Sequence, residues 1–125
     1  MSDSAGSREE LAALVLEVLD DWGVSAADQI RLLALPPATR PRALARHRKG
    51  QALPEDAAVT ARIHAILRID RALAGMFPHN QTLSRYWITT PSHRYGDRTP
   101  LDVMLEDADG LEIVARHAEG TTEFY

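Results

Sequence analysis

Three groups of side chains in this 125-residue chain are of types that do chemistry: a run of cations, five histidines and an aromatic C-terminal segment. Between Gln29 and Pro54 stand Arg31, Arg40, Arg42, Arg46, Arg48 and Lys49, with His47 and not one carboxylate. Cations concentrated in this way suit a phosphate backbone, which supplies much of the affinity of nucleic-acid binders, and arginine also reaches guanine edges. Thr39, Arg40, Arg42, Arg46, Arg48 and Lys49 are the candidates for such contacts. A merely solvated arginine face has the same composition; the absence of any acid across the block favours binding. His47, His64, His79, His93 and His117 show neither H-x-x-x-H nor H-E-x-x-H spacing, and there is no cysteine to complete a metal site. No serine lies in G-x-S-x-G and no glycine-rich loop offers a phosphate cradle. The chain therefore reads as a non-enzyme, with no catalytic residue, cofactor or metal assigned. Phe124 and Tyr125 follow Gly120-Thr121-Thr122-Glu123. Aromatic rings on a short extended segment either fold back on their own surface or anchor in a partner's cleft.

The elements that must position these groups read as helices. Pro54 to Phe77 is expected to be one long helix, with proline in the first turn, Glu55 and Asp56 at the positive end of the dipole, and no further proline until Pro78. Its 24 residues would run about 36 Å at 1.5 Å per residue. Val59, Ile63, Ile66, Leu67 and Ala74 fall on one side, while Ile66, Ile69, Leu73 and Met76 or Phe77 drift to another, as expected of a spine shared by two helical units. Upstream, Ser7 with Glu10 forms a capping-box pattern, and Leu11, Leu14, Val15, Val18, Leu19 and Trp22 recur at helical spacing up to Gly23. Ser25 with Asp28 starts a second helix, carrying Ala27, Ile30 and Leu33 or Leu32, that ends by Leu35 before Pro36 and Pro37. A third begins near Thr39 or Arg40, with Pro41 in its first turn, buries Leu44 and stops at Gly50. Helix, tight turn and a short arginine-covered helix make the outline of a helix-turn-helix DNA reader.

Downstream, Gln81 to Ile88 reads as a helix bearing Leu83, Tyr86 or Trp87, and Ile88. A turn follows at Gly96-Asp97, Thr99-Pro100-Leu101-Asp102 starts another helix with Leu101, Met104 and Leu105, and Leu111 to Ala118 forms the last, capped by Gly120. From Leu101 to Tyr125 there are seven acidic residues against Arg116 alone, so one end is cationic and the other anionic, which suggests two different partners. The apolar and charged fractions, 45% and 26%, are those of an ordinary folded domain. Absence of cysteine fits a reducing cytoplasm, and neither a signal peptide nor a membrane span is expected.

Trp87-Ile88, Pro91, Tyr95-Gly96-Asp97-Arg98-Thr99-Pro100-Leu101, then Gly110, Leu111, Val114 and Gly120, resemble the toxin-binding domain of Xre/MbcA/ParS antitoxins. DDWGVSAADQIRLLAL and ARHRKG resemble the Xre-like helix-turn-helix that precedes it. Two departures stand out: the stretch from Leu33 to Lys49 is a few residues longer and contains Pro36, Pro37 and Pro41, and Ser92 replaces the usual asparagine. The resemblance implies an antitoxin that neutralises a RES-domain, NAD-degrading toxin encoded by a neighbouring gene, works as a homodimer within a toxin-antitoxin assembly, and binds its own operator DNA. It implies toxin contacts at Tyr86, Trp87, Arg94 and Tyr95, with Gly120, Thr121, Thr122, Glu123, Phe124 and Tyr125 occluding the toxin's active site. The alternative is a helix-turn-helix transcription regulator whose C-terminal domain only dimerises. The expected architecture is all-α, with a helix-turn-helix domain over residues 7–72 joined through the long helix to a toxin-binding domain over residues 73–125.

Overall fold

The computed structural model describes the backbone of residues 4–122 and the side chains of residues 8–121. The architecture is all-α. Among the described residues, seven α-helices and one 3₁₀ turn follow in order: α1 Ser4–Asp21, α2 Ala26–Leu32, α3 Ala43–Arg48, α4 Ala57–Met76, α5 Gln81–Thr89, the 3₁₀ turn His93–Tyr95, α6 Pro100–Glu106 and α7 Gly110–Thr122. The only β pairing among them is an isolated bridge between Ser92 and Arg98. The chain divides into two compact units within α4, between His64 and Ala65.

In the first unit, Val15, Leu16, Leu19 and Trp22 of α1 are almost wholly buried, and α1 packs against α3. The three helices end alike. Gly23, Ala34 and Gly50 are left-handed, with φ of 77°, 55° and 104°. The amides of Val24, Leu35 and Gln51 each donate back to the carbonyl five residues earlier, at 3.0–3.1 Å, which closes three Schellman motifs. Gln29 is a fully buried polar residue. Its amide nitrogen donates to Asp20 Oδ1 at 2.8 Å and to the Val24 carbonyl at 3.0 Å, while its oxygen accepts from Arg48 at 3.1 Å.

Several helix limits differ from the sequence expectation. α1 already begins at Ser4, so Ser7 lies within the helix and is not its cap. α2 stops at Leu32, with both Leu32 and Leu33 buried and Ala27 exposed. α3 starts at Ala43, because Arg40, Pro41 and Arg42 form 3₁₀-type turns whose carbonyls accept from Ala43, Leu44 and Ala45. α4 starts at Ala57: Asp56 Oδ1 accepts from the amides of Ala58 and Val59 at 2.8 and 3.2 Å, and thus caps the helix that it was expected to sit inside. Ala74 on the expected apolar side of α4 is exposed.

The second unit buries Ile66, Ile69 and Leu73 of α4, Ile88, Val103, Met104, and the i, i+3, i+4, i+7 stripe Leu111, Val114, Ala115 and Ala118 of α7. Arg68 ties α4 to α7 through Glu112 at 2.7 Å and Glu119 at 2.6 Å. Its guanidinium holds both carboxyls below the usual range. α7 runs through Gly120 to Thr122 and does not stop at Ala118. Glycine ends a helix when the chain turns left-handed there, but Gly120 has no such backbone and simply continues the ladder.

Candidate functional site

The second unit carries an open apolar groove of about 610 Å³. Its first wall is α5, begun by Asn80, whose side chain accepts from the Leu83 amide at 3.2 Å. Leu83, Tyr86, Trp87 and Thr90 share one face at i, i+3, i+4, i+7 and all line the groove. Ile88 of the same helix is buried, as its place among the apolar residues of the expected helix suggests, while Leu83 is 42% and Tyr86 64% exposed. An exposed apolar face rimmed by polar groups is the usual form of an interaction site.

The second wall is the loop from Pro91 to Arg98. Ser92 N donates to the Arg98 carbonyl at 3.0 Å, and Asp97 N donates to the Ser92 carbonyl at 2.9 Å, so the loop closes on itself. Gly96 and Asp97 are consecutive left-handed residues, with φ of 65° and 69°, a conformation that glycine and aspartate tolerate best. Arg98 anchors the loop end to Asp107 at 2.9 and 3.2 Å and holds that carboxyl below its usual range. The loop thereby presents Arg94, exposed and lining the groove, while Tyr95 points inward and is 8% exposed.

Below the groove the Tyr95 hydroxyl lies 2.6 Å from His117 Nδ1, and the two rings meet edge to face at 5.3 Å. On its other side His117 approaches the Trp87 ring at 5.2 Å. Burial, with Arg94 nearby, pushes the His117 pKa down; burial pushes the Tyr95 hydroxyl up. Both groups therefore stay neutral near pH 7, and a single proton joins them. The floor is an uncharged aromatic cluster, with the Trp87 ring tilted at 44° against His117, and it presents an apolar surface. Pro100 enters the lining as the first residue of α6, where Thr99 and Asp102 close a capping box at 2.9 and 3.1 Å.

Residues 72–117 match the antitoxin Xre/MbcA/ParS C-terminal toxin-binding domain. The groove lining runs from Phe77 to His117, so all of it falls inside the matched segment. No curated protein matches the chain. Of the residues expected to make toxin contacts, Tyr86, Trp87 and Arg94 converge on the groove, and Tyr95 supports it from beneath. Gly120 and Thr121 lie within α7, where the Thr121 hydroxyl donates to the His117 carbonyl at 2.9 Å. Thr122 is the last residue of the helix; Glu123, Phe124 and Tyr125 lie outside the described residues. Of the lining residues, the sequence pointed only to Tyr86, Trp87 and Arg94; the remainder, Phe77, Pro100 and His117 among them, it did not mark. Nothing local marks His117; it reaches the groove only because α7 folds against the rest of the second unit.

The cationic block of the first unit is only partly assembled as expected. Arg42, Arg46 and Lys49 are exposed, as is Arg40, and Thr39 is half-buried. Arg48 differs: Asp20 receives its guanidinium at 2.9 and 3.0 Å, and this holds the carboxyl below its usual range. The sequence block contains no acid, but the fold brings one in from α1. Among the described residues no group of histidines and carboxylates could hold a metal ion, and no helix is long and apolar enough to cross a membrane.

Proposed function

We propose that the chain is the antitoxin of a toxin-antitoxin pair, docking on its toxin through the groove of the second unit and contacting DNA through the cationic side of the first. The observation that carries this reading is that every residue lining the groove lies within the segment matching an antitoxin toxin-binding domain. The composition of that surface supports it: Tyr86, Trp87 and Arg94 on a concave apolar patch are the side chains that dominate protein interfaces. Neutralisation of this kind is steric and asks no catalysis of the antitoxin.

The toxin class to pair with it is the RES-domain, NAD-degrading one, because the residues from Trp87 to Leu101 resemble antitoxins of such toxins. In this reading a homodimer of the chain sits in the assembly, and residues 120–125 occlude the active site of the toxin. Co-expression with a RES-domain toxin from a neighbouring gene tests each part. Tyr86 and Arg94 are exposed and line the groove, so Tyr86→Ala and Arg94→Ala should leave folding intact and weaken the complex at least tenfold. Deleting residues 121–125 should restore NAD consumption while the complex survives. A complex indifferent to both substitutions would refute the groove as the docking site, and a truncated chain that still protects NAD would refute occlusion by the terminal residues.

A further inference from the structure

We infer that the first unit grips duplex DNA by its phosphates alone, without reading bases; this rests on the DNA half of the function proposed above and specifies its mode. Arg42 and Lys49 are the caps of α3 and have near-helical backbones, with φ/ψ of −66°/−20° and −88°/4°. At 100° per residue, Arg42, Arg46 and Lys49 fall within a sector of about 60°, opposite the buried Leu44. From Arg42 to Lys49, seven steps along the helix cover about 10 Å, while one DNA strand presents a phosphate every 3.4 Å of axis, so the stripe faces about three phosphates. All three are exposed. Arg48 is not part of the stripe, being turned toward Asp20 on α1.

The same geometry argues against base readout. A base-reading helix projects amide, hydroxyl or guanidinium groups from its first turns into the major groove, from a short turn after the preceding helix. Here ten residues, Leu33–Arg42, separate α2 from α3, and α3 itself has six residues. Its first turn offers Ala43, the buried Leu44 and Ala45, none of which carries a hydrogen-bonding side chain. What remains outward is the cationic stripe, spaced along the helix as phosphates are along a strand.

The test uses the full chain and short labelled duplexes of unrelated sequence, one of them from upstream of its own coding region. Affinities should agree within about tenfold, with a log–log salt slope near −2.7, from about 0.9 per phosphate contact. Arg46→Ala should lower the slope by about 0.9, and Arg42→Ala/Arg46→Ala/Lys49→Ala should reduce affinity at least tenfold with an unchanged circular dichroism spectrum. Arg48→Gln should leave the slope unaltered. A preference of more than tenfold for the upstream duplex would show base reading and overturn the inference, as would a slope that falls equally in Arg48→Gln. If no duplex binds while the toxin complex forms, this inference fails and the antitoxin reading stands; the reverse pattern sinks the antitoxin reading alone.

Discussion

Gly110 opens α7 against the backbone of α6, and replacing it with alanine sets two effects of opposite sign against each other. Alanine is the better helix residue by at most about 0.5–1 kcal/mol, and Gly110 has no left-handed backbone to forbid it. A Cβ at this position would lie 2.8 Å from the Val103 carbonyl carbon and 2.9 Å from Met104 Cα, and closer still to the Val103 carbonyl oxygen. These are backbone atoms that cannot rotate away, so α6 and α7 must separate. Overpacking of this kind costs about 1–3 kcal/mol, or more where backbone must shift. Sterics win: Gly110→Ala should destabilise by about 1–2 kcal/mol, which for a unit of this size lowers the melting temperature by about 4–15 °C. Gly120 provides the internal control, since it lies in the same helix and nothing stands within 4 Å of a Cβ built on it. Gly120→Ala should therefore raise the melting temperature, by the helix-propensity gain alone. Thermal unfolding followed by circular dichroism gives both values. Two shifts of the same sign would refute the close approach of α6 and α7. Because Pro100 and His117 line the groove from these two helices, Gly110→Ala should also weaken the proposed complex with the toxin without touching an exposed lining residue.

Other consequences can be checked as directly. Ala34 is exposed at φ 55°, where an L-residue costs about 1–2 kcal/mol and glycine costs only its extra chain entropy, so Ala34→Gly should stabilise by about 0.5–1 kcal/mol; a lower urea midpoint would contradict the left-handed cap. Gln29→Leu removes the donor to Asp20 and to the buried Val24 carbonyl and should cost about 1–3 kcal/mol in urea unfolding, whereas a neutral result would mean the network contributes nothing. The His117 pKa is depressed on folding, so the folded state binds fewer protons than the unfolded one. Its contribution is complete above the ordinary value of 6.5 and is lost as pH falls through the lower folded value. Melting temperatures from pH 8 to 5 should drop in the acid range, and His117→Gln should flatten the drop; an equal drop in the variant would assign it elsewhere.

The chain's own sequence determined what depends on near neighbours. The Thr99–Asp102 capping box with Pro100, the Ser25 cap, the stops at Gly23 and Gly50 and the α7 stripe were legible because each is a contact among residues three to seven apart. The all-α class follows from the same local signals. Tertiary structure alone decided the rest. Leu83, Tyr86 and Trp87 have the spacing of a core face, and only the loop from Pro91 to Arg98 with His117, thirty residues from Trp87, turns that face into a groove wall. Arg48 belonged to an acid-free stretch until folding brought Asp20, 28 residues away, into bidentate contact with it. Gly120 had the identity of a helix stop, yet the backbone there stays helical. Ala34 had no such identity and adopts the left-handed turn, because the amides of Ala34 and Leu35 find the carbonyls of Arg31 and Ile30 and Leu35 is buried in the core. Periodicity and composition state which side chains share a face; whether that face meets its own core, an ion partner or solvent depends on residues far away in the chain, and closing such distant contacts is a property of the whole packed unit.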